Sequence, residues 1–229
     1  MPSKRKSPKR KRRRSRRADA RHAAFFPLLI LSFIFWFIYR GVFQFSVLFD
    51  ELIGKAIFFG LPVWLYILIS GFQEIADTFA AYKIRRGLMM GIAIGGIFAF
   101  IVSLMLVWRD STVYPSFAFV VNGFWYEFLL ALLTGFWESL FFFSFVMLVA
   151  QRIFRQWSLF QLALFASTIF LVFHLPNIAL RFQGVNLWYQ TGLLALFALG
   201  QSLLFAKEKN GYSLVISHAL WGMVLLFHF

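Results

Sequence analysis

From Ala24 onwards the chain alternates long apolar runs with short charged clusters. The runs approach or exceed the roughly 20 apolar residues that cross a bilayer as a helix. They are continuous, not alternating in the ~10-residue segments of a transmembrane β-barrel. The pattern therefore predicts an all-α fold, a polytopic transmembrane helical bundle of about seven spans, with six to eight as the range. The first span is read from Ala24 to Tyr39, with Pro27 tolerated near its start. Arg40 to Lys55 reads as a mixed connector carrying Asp50 and Glu51, and a second span as Ala56 to Phe72. The segment "QEIADTFAAYKIRRG" suits an interfacial helix, and a third span covers Leu88 to Trp108.

Gly87, Gly91 and Gly95 recur every four residues at the start of that third span. They predict a small-residue face on which another helix packs closely. No lysine, serine or threonine follows where a phosphate-binding loop needs one. From Phe117 to Ala150 the chain is almost uninterrupted. Two readings stand: two short helices breaking near Thr134-Gly135, or one tilted helix starting near Gly123. The charge bias of membrane proteins favours one helix, because it leaves Arg152 and Arg155 on the cytoplasmic side. Further spans follow from Leu159 to His174, closed by Leu175-Pro176, from Leu187 to Phe205, closed by "KEKNG", and from Tyr212 to Phe229.

Composition agrees with this pattern. The chain is 61% hydrophobic, with a mean hydropathy of +0.75, more apolar surface than a soluble core of this size hides. The net charge of +14 is concentrated: twelve of the 23 Lys and Arg residues lie between Lys4 and Arg21. Residues 1–23 are expected to be a disordered basic cytoplasmic tail. Such a tail fixes topology and touches anionic lipid. Nucleic acid phosphates attract such segments too, but we favour membrane lipid as the partner. Ser15-Arg16-Arg17 resembles a twin-arginine signal. No small-residue cleavage site follows the apolar run, so the first span is read as retained. The expected location is the cell membrane, with the N-terminus cytoplasmic. The absence of cysteine excludes disulfides, thiolate zinc sites and a cysteine nucleophile. The remaining chain divides into N-terminal transmembrane helices, 24–116, and a core, 117–229.

Four polar groups interrupt the apolar second half: Glu127, Glu138, His174 and His218. Charge deep in a bilayer costs at least ~2.5–3.5 kcal/mol and marks a partner or a wet cavity. Glu138, inside "GFWESLFFFSFV", is mid-span on any reading. Each group alone could be satisfied by a neighbouring helix, but three on three separate spans point to one convergent site. Glu127 lies eleven residues before Glu138. On one helix the two share a face, about 16 Å apart along the axis, and Glu127 beside Trp125 and Tyr126 marks the interface.

At these residues the chain resembles the CPBP family, the CAAX prenyl endopeptidases and the bacteriocin-processing or immunity membrane proteins. The family pattern is EExxxR, then FxxxH, then HxxxN or HxxxD. Here "FLVFH" runs from Phe170 to His174, and "HALWG" from His218 to Gly222. The first element is "WESLFF", with Trp137, Glu138 and Phe142 where the family has Glu, Glu and Arg. The resemblance covers about Gly123 to Phe229. It implies an intramembrane peptidase in which a glutamate activates water, with Glu138, His174 and His218 as catalytic candidates. Trp137, Phe170 and Trp221 are the expected substrate contacts, and a peptide or lipidated protein is the expected substrate. The family's first glutamate is usually assigned as the base, and Trp137 occupies that position. A pseudoprotease that binds a membrane partner, in an immunity or scaffold role, is therefore the alternative, and a proton-coupled carrier is a third class. Glu138, His174 and His218 also match a zinc set, but no HExxH helix accompanies them. We favour metal-free glutamate chemistry, with no cofactor.

Overall fold

A computed structural model describes residues 22–43, 45–110 and 123–228. The basic tail and the Pro115 connector lie outside these residues. The described residues form seven principal helices and no strand. They are α1 (Phe25–Val42), α2 (Val47–Ser70), α3 (Ile84–Asp110), α4 (Phe124–Ile153), α5 (Leu159–Arg181), α6 (Val185–Glu208) and α7 (Gly211–His228). Six candidate spans are long and apolar enough to cross a membrane. α7 is an 18-residue helix packed beside them. Helices are what the composition demands, since a backbone in lipid must satisfy its own hydrogen bonds. The protein is an integral membrane helical bundle.

Local chemistry sets the boundaries. Ser158 and Gln161 form a capping box at the start of α5. Gly123 precedes α4 with φ +103°, and Gly71 ends α2 with φ +67°, both in the region glycine occupies at little cost. α4 runs as one helix from Phe124 to Ile153, the arrangement the charge bias favours. Its most apolar window is 72% buried, against 28% for α1, so α4 is the central helix. Lipid-facing side chains such as Leu68, Ile69 and Trp188 are broadly exposed.

Two boundaries differ from the sequence reading. Arg40 to Lys55 is not simply a connector: after Ser46, whose hydroxyl accepts from the Phe49 N–H, the chain is already helical. Asp50, Glu51 and Lys55 lie inside α2. The charges read as a connector along the chain, but they are paired inside the protein. Likewise α5 continues through Pro176 to Arg181, so His174 is not at a helix end. Proline removes the donor to the Val172 carbonyl, and neighbouring helices compensate at such points. The Trp36 indole N–H donates to the adjacent Phe173 carbonyl at 3.0 Å.

Named contacts give each helix a direction. Trp36 and Arg40 meet Phe173 and Asn177, so α1 and α5 are parallel. Lys55 and Phe59 meet Glu138 and Phe142, so α2 and α4 are parallel. Ser167 meets Ser202 and Phe170 meets Phe197, making α6 antiparallel to α5. Gln201 meets Ser217 and Phe197 meets Trp221, making α7 antiparallel to α6.

The glycine stripe of α3 packs on α7. A Cβ on Gly91 would lie 2.6 Å from the Ile216 Cβ and 2.9 Å from the Ser213 carbonyl oxygen. One on Gly95 would lie 2.8 Å from the Ser217 Cα. We expect Gly91→Ala to destabilise the fold by about 1–3 kcal/mol, the usual cost of overpacking. Gly96→Ala is the control, because its Cβ would meet nothing within 4 Å. Thermal denaturation in detergent reads the difference, and equal midpoints for the two variants would contradict the packing.

Candidate functional site

Helical periodicity builds the site. On α4, Glu127, Ala131, Thr134 and Glu138 fall on one face at three- and four-residue spacing, and all four line one cavity. Val47, Glu51 and Lys55 do the same on α2, and Phe170, His174, Asn177 and Arg181 on α5. His218, Trp221 and Gly222 of α7 complete the wall. The volume is about 940 Å³, towards the upper end of the ~300–1,000 Å³ usual for ligand pockets.

Glu138 sits at the floor and is 3% exposed. It ends the regular part of α4, just before the π-helical stretch Ser139–Met147. Lys55 lies between two π-helical stretches of α2, Asp50–Gly54 and Ala56–Gly60. Such wide turns re-aim side chains and recur at functional sites. Glu138 Oε1 accepts from Lys55 Nζ at 2.8 Å. The same ammonium lies 2.7 Å from Glu51 Oε2, and the Thr134 hydroxyl donates to that Glu51 oxygen. The lysine is therefore held between two carboxylates, which removes most of the cost of burying it.

The second carboxylate oxygen is placed differently. Glu138 Oε2 is 3.4 Å from His174 Nε2 and 3.6 Å from His218 Nε2, and it has no hydrogen-bond partner. The three side chains singled out in the sequence thus meet at one point. His174 Nδ1 lies 2.8 Å from the Phe170 carbonyl. A carbonyl only accepts, so Nδ1 carries the proton. In its neutral form His174 then turns the Nε2 lone pair towards Glu138, an acceptor facing an acceptor. Either a proton on Nε2 or a donor held between the two atoms relieves that opposition. His218 Nδ1 is buried without a partner. Phe170 stacks on His174 at 4.1 Å between ring centroids. Phe197 meets His218 edge-on at 5.0 Å and stacks on Trp221 at 3.9 Å. These aromatic rings fix both imidazoles.

The other motif positions divide. Phe170 and Trp221 line the cavity, and so does Gly222, where an added Cβ would meet nothing within 4 Å. Trp137 does not line it: its ring packs over Gly60, where a Cβ would come within 2.6 Å. Phe142 is fully buried among Phe59, Phe170 and Phe173. Neither side chain supplies the acid or the cation of the family pattern.

Sequence reasoning missed Lys55, Glu51 and Thr134. Two signals were present. Glu51 and Lys55 stand four apart, the spacing of a helical ion pair, and a buried carboxylate requires a cation. Nearer the mouth, Arg40 pairs with Asp50 and donates to Asn177 Oδ1 at 2.6 Å. Tyr39 also donates to Asp50.

Among the described residues no group of three or more His, Asp or Glu side chains is set to hold a metal ion. Comparison of the chain with protein-family models, curated proteins and solved structures found no match in any of the three.

Proposed function

We propose that this protein is an intramembrane peptidase of the CAAX-protease-like type, in which Glu138 activates water to hydrolyse a peptide bond. The supporting observation is the unpartnered Glu138 Oε2, buried between two imidazole nitrogens at the floor of a peptide-sized cavity. Lys55 holds Oε1 and leaves Oε2 to act. A water at that point donates one hydrogen to Oε2 and the other to the His174 lone pair. Its oxygen attacks the scissile carbonyl carbon while one proton passes to Glu138. His218 Nε2–H stabilises the developing oxyanion. The C–N bond then breaks and Glu138 returns the proton to the leaving amine; the new carboxylic acid gives its own proton to that amine, so the products are one carboxylate and one ammonium. In this reading the cell membrane is the site of action and the N-terminal tail is cytoplasmic.

A second reading has one specific support. Trp137 and Phe142, at two family motif positions, serve packing. A noncatalytic protein that binds a membrane partner would use the same cavity without hydrolysis.

Profiling of protein N-termini in membranes separates the two. Cells making wild type are expected to show a set of new N-termini that is missing with Glu138→Gln. Identical sets would overturn the peptidase. A partner co-purifying equally with both proteins would then favour binding.

A further inference from the structure

The helix directions place every cavity-lining segment at the same end of the bundle. The cavity takes the last turns of α1 and α5, the first turns of α2, α4 and α6, and the outgoing half of α7. Its mouth lies where α1 meets α2 and α5 meets α6. The charges of the two ends differ strongly. At the opposite end α1 begins, preceded in sequence by the basic segment 1–21, and Lys83, Arg85 and Arg86 stand before or within the first turn of α3. Arg152 and Arg155 close α4 there, and Lys207 and Lys209 close α6. The mouth end has Arg40 and Arg181 with Asp50, Glu51 and Glu127, and α3 ends there in the sequence Arg109-Asp110, whereas the more numerous bases of the opposite end are accompanied by Glu74, Asp77 and Glu208. An excess of Lys and Arg marks the cytoplasmic face.

We infer that the cavity opens on the extracytoplasmic side and takes its substrate, a polypeptide segment, from the outer face of the membrane. As regards the substrate, this rests on the peptidase reading. The direction of opening rests on topology and charge alone. Glu138 lies about 20 Å from the first residue of α4 at 1.5 Å per residue. A segment therefore has to descend into the bilayer to reach it. A lipidated C-terminus displayed in the cytoplasm meets the basic face, at the end of the bundle away from the residues that line this cavity. The paired charges near the mouth, Arg40 with Asp50, leave the descent close to neutral. This suits an apolar or weakly charged juxtamembrane stretch of an exported or membrane-anchored protein.

The absence of cysteine makes the test direct. Gln183, between α5 and α6, and Gln156, between α4 and α5, are exposed on opposite ends. Neither lines the cavity. Full-length Gln183→Cys and Gln156→Cys variants are treated with a membrane-impermeant maleimide. Labelling of Gln183→Cys in intact cells, with Gln156→Cys labelled only after permeabilisation, is the expected result. The reverse pattern, or labelling of Gln183→Cys only after permeabilisation, overturns the inference. Labelling needs no hydrolysis, so this outcome is independent of whether the protein cleaves anything. Where wild-type-dependent N-termini are found, they are expected in extracytoplasmic or outer-half segments. Cleavage confined to cytoplasmic tails overturns the substrate class.

Discussion

Changing Glu138 to glutamine is expected to lower hydrolysis about 10²–10⁴-fold, the usual contribution of a positioned general base. The amide has almost the same shape and keeps an oxygen to accept from Lys55. It has no carboxylate to take a proton from water. Lys55 also keeps its second partner, Glu51, at 2.7 Å, so the ammonium is not left alone in the interior. The folded yield is therefore expected to match wild type. Initial rates on a peptide spanning one cleaved site, measured in proteoliposomes, read the chemistry. Size-exclusion profiles read the fold. Unchanged rates would move the base to another residue.

Changing Lys55 to methionine acts on stability instead. Methionine keeps much of the volume but removes the ammonium from between Glu51 and Glu138. Two buried carboxylates are then left without their cation. Removing one partner of a buried ion pair costs about 3–5 kcal/mol. The loss is expected as a large fall in the denaturation midpoint in detergent. The double variant Lys55→Met with Glu138→Gln removes one of the stranded charges. It is expected to recover part of the loss, the signature of direct coupling. A Lys55→Met protein within roughly 1 kcal/mol of wild type would match an exposed pair and contradict the buried network.

Much of this architecture was legible in the residues. Long apolar runs can only be helices in lipid, and the four-residue glycine spacing from Gly87 to Gly95 told of a close helix contact. That contact is with Ser213, Ile216 and Ser217 of α7. Glu138, His174 and His218 stood out because polar side chains inside apolar runs are costly. Less was legible where charge was already paired. Asp50, Glu51 and Lys55 read as a connector because three charges in six residues look like a water-facing segment. Their partners, Arg40, Thr134 and Glu138, lie on α1 and α4. Nothing local announced them. Pro176 misled in a similar way. It reads as a stop for a free helix, but within a bundle α5 continues past it to Arg181. Ending α5 at His174 left that residue at a helix tip, whereas the longer α5 holds it within the helix beside Glu138 and His218.

The measurement closest to the central claim is hydrolysis by the purified wild-type protein, reconstituted in liposomes, in water enriched in ¹⁸O. If Glu138 activates water at the point shared with His174 and His218, each new C-terminal carboxylate carries one ¹⁸O atom, and Glu138→Gln forms almost none of that product. Termini formed equally fast by Glu138→Gln, or no cleavage of any membrane-presented peptide by wild type, would contradict it.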